Sequence, residues 1–366
     1  MTFPRPEYMR MALALARKGV GRTSPNPAVG AVLVRGRKVV GRGYHRAAGL
    51  PHAEVEAIRD AGRAARGADL YVTLEPCCTA GRTGPCTEAV LSAGIRRVAA
   101  AMKDPNPAVS GKGLSALRKA GLDVDSGLLE ETAMGLNRAY CRWVVSGKPY
   151  VTLKLAMSLD GQIAASTGAS RWISGEESRR IVHRMRSESD AVLVGGGTLR
   201  KDDPLLSSRI RGGRDPLRIA VTSRLSGISD LRIFRGGKGR VLFVCPRGAS
   251  GRFSDRVASL GGRVLELPSR DGRISASVLL RALGREGVTS LLVEGGGRVA
   301  GWLVEEGAVD RFVFFIAPRL LGEGTRAIAG FRPPTVEAGR KLEIRDVRRA
   351  GEDIVVTAEA LQEHGG

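Results

Sequence analysis

Pro51-His52-Ala53-Glu54 and Glu75-Pro76-Cys77-Cys78-Thr79-Ala80-Gly81-Arg82-Thr83-Gly84-Pro85-Cys86 are the stretches whose reading decides the fold. One histidine and two cysteines, His52, Cys77 and Cys86, supply three ligands to a single zinc ion. Three protein ligands and an open fourth position form the catalytic pattern, whereas a closed structural site takes four. A structural knuckle also leaves Glu54 without a task. Zinc lowers the pKa of a bound water to about 7. Glu54 stands two residues from His52 and is placed to carry a proton from that water to a leaving group. Cys78 follows Cys77 on an extended segment, so it is expected to point the other way, into the core.

Around these stretches the chain alternates. Pro51 to Ala64 is expected to be helical with Pro51 in the first turn, where its missing N–H costs nothing. His52 and Glu54 then lie at a helix N-terminus. Asp69 to Leu74 reads as a strand, and Cys77 falls beyond its carboxyl end, where ligands gather in open α/β sheets. Pro85 opens a helix from Cys86 to Ala93, whose N-terminus favours a thiolate. A helix is expected over Pro6–Arg17, a hairpin over Ala28–Val34 and Lys38–Tyr44, and a strand over Arg96–Met102. Helices over Lys112–Ala120 and Glu130–Val145 complete a three-layer α/β/α domain. Asn26, between Pro25 and Pro27, either presents its amide to a base-like ring or is a turn asparagine.

The 366 residues suit two domains, and 43% hydrophobic content is enough for two cores. The formal charge of +21 invites a nucleic-acid reading. Against it, the arginines are dispersed and aromatics are only 4%, leaving few stacking platforms. An arginine-rich composition with attraction for phosphorylated substrates accounts for the charge. The five cysteines, three of them clustered, point to metal chemistry in a reducing compartment and not to a disulfide framework. Met1 to Arg10 contains no apolar signal segment, and no stretch reaches the ~20 apolar residues of a membrane span. A cytoplasmic protein without membrane association is expected.

A boundary falls at Ser146-Gly147-Lys148-Pro149, giving domains 1–147 and 148–366. In the second, Tyr150–Ala156 reads as a buried strand. Ser174, with Glu177 three residues on, reads as a capping box for a helix to about Arg186. Ala191–Val194 runs into Gly195-Gly196-Gly197-Thr198, and Ser290–Val293 runs into Glu294-Gly295-Gly296-Gly297. Strand, glycines, helix is how a chain brings backbone N–H groups against phosphate. Singly each run is equally a tight turn; as a pair they favour a dinucleotide. Further strands are expected over Leu217–Thr222, Val241–Cys245, Val264–Leu267, Arg311–Ala317 and Asp353–Glu359, in a mixed sheet flanked by helices.

His-x-Glu ahead of Pro-Cys is the general signature of zinc deaminases. With Pro25-Asn26-Pro27, Gly43-Tyr44-His45, Thr73-Leu74-Glu75-Pro76-Cys77, Gly81-Arg82-Thr83, Pro85-Cys86 and Lys103-Asp104-Pro105-Asn106-Pro107, the first half resembles the bifunctional riboflavin-biosynthesis deaminase/reductases. Cys78-Thr79 departs from the Ser-His common there. The second half carries the same resemblance through Ser158-Leu159-Asp160-Gly161, Trp172-Ile173-Ser174, Asp202-Asp203-Pro204 and Ala317-Pro318-Arg319. The family implies an N-terminal cytidine-deaminase-like α/β/α domain and a C-terminal dihydrofolate-reductase-like α/β domain. By matching position it implies that Ala156, Trp172, Thr198, Asp202, Ser223, Gly296 and Gly297 touch NADPH. Asn26, Lys154, Ser170, Arg186, Leu206, Arg209 and Glu294 would meet the substrate, a small pyrimidine ribosyl phosphate. Arg224 is a candidate for the cofactor's 2′-phosphate, and Lys154 for the reductase acid. A homo-oligomer is also implied.

The function expected is hydrolytic removal of the 2-amino group of 2,5-diamino-6-ribosylamino-4(3H)-pyrimidinone 5′-phosphate, followed by reduction of ribosyl to ribityl. One rival is a deaminase of a cytidine nucleotide or tRNA base with a degenerate second domain. The longer interval between cysteines and the second glycine run argue against it. Another is a non-enzymatic basic RNA-binding protein, which a salt-dependence measurement would separate.

Overall fold

The computed structural model describes residues 3–79, 84–223, 231–235, 239–251 and 253–361. The chain forms two compact units, Met1–Gly147 and Lys148–Gly366.

In the first unit the elements are α1 (Pro6–Ala16), β1 (Gly30–Arg35), β2 (Lys38–Tyr44), α2 (Ala53–Ala61), β3 (Asp69–Val72) and α3 (Cys86–Ser92). β4 (Arg97–Ala100), α4 (Lys112–Lys119), β5 (Asp123–Ser126), α5 (Glu130–Leu136) and α6 (Arg138–Ser146) follow. The sheet order is β2-β1-β3-β4-β5. The β1–β2 and β1–β3 pairs are antiparallel, and β3–β4 and β4–β5 are parallel. Alternation decides the layers. Ala31, Leu33, Leu70, Val72, Val98 and Ala100 face α2, α3 and α4. Val32, Val34, Tyr71 and Ala99 face α1 and α5. Gly30 admits α1 closely, since a Cβ there would sit 2.1 Å from the Ala12 carbonyl oxygen.

Three local expectations are corrected here. Pro51 lies outside α2, with His52 as its N-cap in extended backbone. The single terminal helix is two, broken at Asn137. Its buried amide accepts from the Ala28 N–H at 2.8 Å and donates to the Ala28 carbonyl at 3.0 Å, which ties the break to the loop before β1. Strand β5 was not anticipated; four residues with two aspartates at a sheet edge carry no apolar alternation.

The second unit runs β6 (Tyr150–Ser158), β7 (Gln162–Ala164), α7 (Glu176–Glu188), β8 (Ala191–Gly195), α8 (Gly196–Asp202), β9 (Leu217–Val221), β10 (Val241–Pro246) and α9 (Phe253–Ser259). It continues through β11 (Arg263–Leu267), α10 (Ala276–Arg285), β12 (Ser290–Val293), α11 (Gly297–Glu305), β13 (Arg311–Ala317), β14 (Thr325–Arg326), β15 (Leu342–Ala350) and β16 (Asp353–Ala360). Nine strands form one sheet, ordered β11-β10-β9-β8-β12-β6-β13-β16-β15. It is parallel from β11 to β13, and β16 and β15 add an antiparallel hairpin. One face packs on α10 and α11 through Leu153, Leu193, Leu279 and Leu303. The other packs on α8 and α9 through Val192, Leu199, Phe243 and Val257. β7 and β14 pair separately. β15 was missed because it is a charged, exposed edge strand.

The capping box at Ser174 does not form. The N-cap of α7 is Gly175, with no side-chain cap bond. Asp353 instead accepts from the Gly175 N–H at 2.7 Å and from the Ser178 hydroxyl, so a carboxylate from β16 serves the helix start. A favourable interaction with the helix dipole comes with that placement.

Candidate active sites

The first site is assembled by β3, α2 and α3. His52 ends the loop into α2, and Cys86 is the first residue of α3. His52 Nδ1 lies 3.2 Å from Cys86 Sγ and 3.6 Å from Cys77 Sγ. One donor atom from each of the three falls within 4.8 Å of the others, and Cys78 is outside the group. The Cys86 N–H points at Cys77 Sγ from 3.4 Å. Two sulfurs and an imidazole nitrogen converging on one point fit a tetrahedral zinc with an open position. Cys78 is only partly buried, so the expectation that it enters the core is corrected. The Cys77 thiol is pulled down by the hydrogen bond from Cys86 Sγ, and then by His52. Hydrogen bonding to Cys77 in turn raises His52.

Glu54 is 3% exposed on the first turn of α2. Burial pushes its carboxyl up to about 7. A carboxyl that titrates near neutrality both takes and returns a proton. His45, named in the sequence only within Gly43-Tyr44-His45 and given no site role there, is buried and lines the same cavity. Its Nδ1 lies 3.1 Å from the Pro51 carbonyl and its Nε2 3.3 Å from Asn26 Nδ2. A carbonyl only accepts, so Nδ1 carries the proton and Nε2 accepts from Asn26. Burial lowers the His45 pKa, which keeps the ring neutral. That arrangement fixes Asn26 and leaves its oxygen for a ligand.

These groups line a cavity of ≈ 180 Å³ together with Glu75, Asp104 and Tyr140. Glu75 is buried and accepts from the N–H groups of Asp104 (3.0 Å), Gly111 (2.9 Å), Gly113 (2.8 Å) and Leu114 (3.2 Å). It thereby fastens the loop at 103–107 and the start of α4. Asp104 accepts from the Tyr140 hydroxyl at 3.0 Å, which sets the far wall. Proximity in sequence to Cys77 was the only sign of Glu75's task.

The second site lies at the carboxyl ends of β6, β8 and β12. A cavity of ≈ 550 Å³ is lined there by Lys154, Ala156, Ser170, Trp172, Arg186, Thr198, Asp202, Leu206, Arg209, Glu294, Gly296 and Gly297. Ser223 is exposed and does not line it, so the structure does not bring that residue together with the rest. Arg224 and Gly81-Arg82-Thr83 lie outside the described residues. Arg171, Lys201, Asp203 and Arg232 line the cavity without having been anticipated, which gives six basic and three acidic side chains around it. Such a wall favours anionic ligands.

The glycine runs divide their work. A Cβ at Gly295 would sit 2.6 Å from Val299 Cβ, and one at Gly297 2.2 Å from the Arg326 carbonyl oxygen, so both serve packing. Gly197 has open space in front of it. It lies in the first turn of α8 beside Thr198, and Gly296 caps α11, so two helix starts face the same cavity. Backbone N–H groups so presented suit a cofactor's phosphates.

At the cavity floor Arg186 meets Glu294 in a two-pronged ion pair, 2.6 and 2.9 Å, with side chains 12% and 8% exposed. Burial opposes ionisation of Glu294, but Arg186 and then Lys154 outweigh it and hold the carboxyl below its ordinary range. Burial lowers the Lys154 pKa, with Glu294 opposing. Ser170 Oγ lies 3.2 Å from Asp202 Oδ1. Trp172, 64% exposed with Arg179 4.7 Å over its ring, offers a flat face at the rim.

Comparison with known proteins matches both halves. Residues 4–102 match the cytidine and deoxycytidylate deaminase zinc-binding region, and 149–356 match the RibD C-terminal domain. The chain is 41% identical over 350 residues to the riboflavin biosynthesis protein RibD of Aquifex aeolicus, covering 95% of this chain and 96% of that one. Against that of Escherichia coli it is 38% identical over 363 residues, covering 95% and 97%. The solved structure of Acinetobacter baumannii RibD superposes with a TM-score of 0.89 at 35% identity, over 98% of this chain and 99% of that one. A Thermotoga maritima diaminohydroxyphosphoribosylaminopyrimidine deaminase/5-amino-6-(5-phosphoribosylamino)uracil reductase does so with 0.87 at 34%, over 97% and 98%.

Proposed function

The chain belongs to the RibD family of bifunctional riboflavin-biosynthesis enzymes, and from that premise we propose how its two cavities divide the deaminase and reductase steps. The observation that carries the reading is the convergence of His52, Cys77 and Cys86 beside a buried carboxyl in one unit, with a basic cavity at glycine-opened helix starts in the other.

In the first unit His52, Cys77 and Cys86 hold the zinc. When bound, zinc lowers the pKa of a water to about 7 and makes it a nucleophile at neutral pH. Glu54 would carry the proton between the attacking water and the departing amine. Its burial sets its pKa for both transfers. Asn26, oriented by neutral His45, hydrogen-bonds the pyrimidine ring. The substrate is 2,5-diamino-6-ribosylamino-4(3H)-pyrimidinone 5′-phosphate, and the 2-amino group leaves as ammonia.

In the second unit Ala156, Trp172, Thr198, Asp202, Gly296 and Gly297 would hold NADPH. NADPH supplies the hydride that converts ribosyl to ribityl. Ser170, Leu206 and Arg209 position the sugar phosphate. Lys154 offers a proton to the sugar oxygen, and its lowered pKa makes it a better acid than a free lysine. Glu294 favours the charged ammonium, whereas burial and Arg186 disfavour it. We place the enzyme in the cytoplasm as a homo-oligomer, for which the exposed Ile344 and Val347 on edge strand β15 offer apolar surface.

Glu54→Gln tests the division. Removing an acid–base group typically costs about 100- to 10,000-fold. Deamination should fall by that much while bound zinc stays constant. Given the already deaminated ribosylamino-uracil phosphate, the variant should oxidise NADPH at the parent rate. Normal deamination would remove Glu54 from the chemistry, and loss of both activities would mean the units are not independent.

A further inference from the structure

The cavity of the second unit holds two guanidinium groups, those of Arg209 and Arg232, with no hydrogen-bonding or carboxylate partner among the described residues. Arg186 is different, since Glu294 neutralises it. Arg209 is pulled below an ordinary arginine by burial, then by the charges of Arg186 and Arg232, which line the same cavity.

Arg232 is not a loose surface residue. It opens a single 3₁₀ turn, Arg232–Phe234, that is fastened from three sides. Its own N–H donates to Asp203 Oδ1 at 2.7 Å. Ile233 is fully buried, and Phe234 stacks on Phe243 with centroids 5.7 Å apart. The buried Arg218 guanidinium donates to the Ile233 carbonyl at 2.7 Å and to that of Arg235. The facing loop is also held out of its relaxed state. Asp203, Leu206 and Arg209 have φ of 41°, 55° and 53°, a region that non-glycine residues avoid. Strain of this kind persists where surrounding structure enforces it, and it concentrates at ligand clamps.

We propose that Arg232 is a specificity residue that binds, together with Arg209, a phosphate monoester of the reductase's ligands. Two guanidinium forks match the oxygens of a dianion, which a single arginine neutralises only in part. The anion is the substrate's 5′-phosphate or the cofactor's 2′-phosphate. Asp203 acts as the positioning residue, since it holds the backbone of Arg232 in place. The inference rests on the reductase reading of this cavity.

Equilibrium binding to the full-length protein tests it, with two matched probe pairs. One is the ribitylamino-uracil phosphate product and its dephosphorylated form; the other is NADP⁺ and NAD⁺. Arg232→Gln should weaken the phosphorylated member of one pair by about ten- to hundredfold, the size of a lost charge-assisted contact. Its unphosphorylated member should bind unchanged. Loss confined to the product phosphate assigns the 5′-phosphate, and loss confined to NADP⁺ assigns the 2′-phosphate. Arg232→Lys, which keeps the charge and loses the fork, should fall between parent and Gln and carries the test if Arg232→Gln fails to fold. Parent-like discrimination in both variants would overturn the inference and leave the reductase reading standing. So would equal weakening of both members of each pair. A parent protein that discriminates in neither pair would overturn both.

Discussion

Replacing Glu294 with alanine should expose how the reductase cavity is held together. The carboxylate accepts two bonds from Arg186 at 2.6 and 2.9 Å, and neither side chain is more than 12% exposed. Taking away one member of a buried pair leaves the other charge unpaired and costs about 3–5 kcal/mol. Lys154 loses its neighbouring anion at the same time. Each 1.4 kcal/mol is about tenfold, so protection of β6 and β12 amides against hydrogen exchange should drop by about two to three and a half orders of magnitude. The sign with pH follows from Glu294 being held below its ordinary 4.5. Its contribution is present above about pH 4.5 and is lost as the pH falls through the lower folded value. Parent and variant should therefore converge in acid. Arg186→Met with Glu294→Leu should cost less than the two single changes together, because no charge is left behind. The alkaline limb of the reductase pH profile should move to lower pH in Glu294→Ala, since Lys154 must be protonated to act as the acid and the group that raises its pKa is gone. Protection within about 0.5 kcal/mol of the parent would refute the argument, as would a gap that persists unchanged in acid.

Cys86→Ser should abolish stoichiometric zinc by metal analysis while Cys78→Ser retains it, because only Cys86 shares a site with His52 and Cys77; equal loss in both would contradict the ligand set. Reductase turnover should favour NADPH over NADH in kcat/KM, given six basic side chains around the cavity, and equal efficiency would count against a 2′-phosphate contact. Asn137→Ala removes two buried hydrogen bonds to Ala28 and should destabilise the first unit by about 2 kcal/mol in denaturant unfolding. An unchanged midpoint would mean the helix break does not depend on that amide.

Much of this protein was legible because its chemistry is local. His52 and Glu54 are two residues apart, Cys77 and Cys86 are bounded by Pro76 and Pro85, and the apolar strands of both sheets announce themselves by composition. In the second unit the glycine runs pointed to a dinucleotide, but the residues of the site were legible only through resemblance. Its cationic wall draws Lys154, Arg186, Arg209 and Arg232 from separate elements, and no periodicity relates them. Elements stabilised from afar were misread. Asn137 divides a helix by bonding residue Ala28 across the fold, Asp353 takes over the cap that Ser174 seemed to offer, and β15 exists only because β16 pairs with it. Sequence by itself determined the metal-ligand residue types, the two-unit division as an expectation and the strand–glycine–helix designs. Tertiary structure alone decided which glycines serve packing, which carboxylates act as caps and which arginines are left without a partner. Ligand identity depends on side-chain chemistry, which the sequence spells out, whereas charge balance and capping depend on distances between residues far apart along the chain.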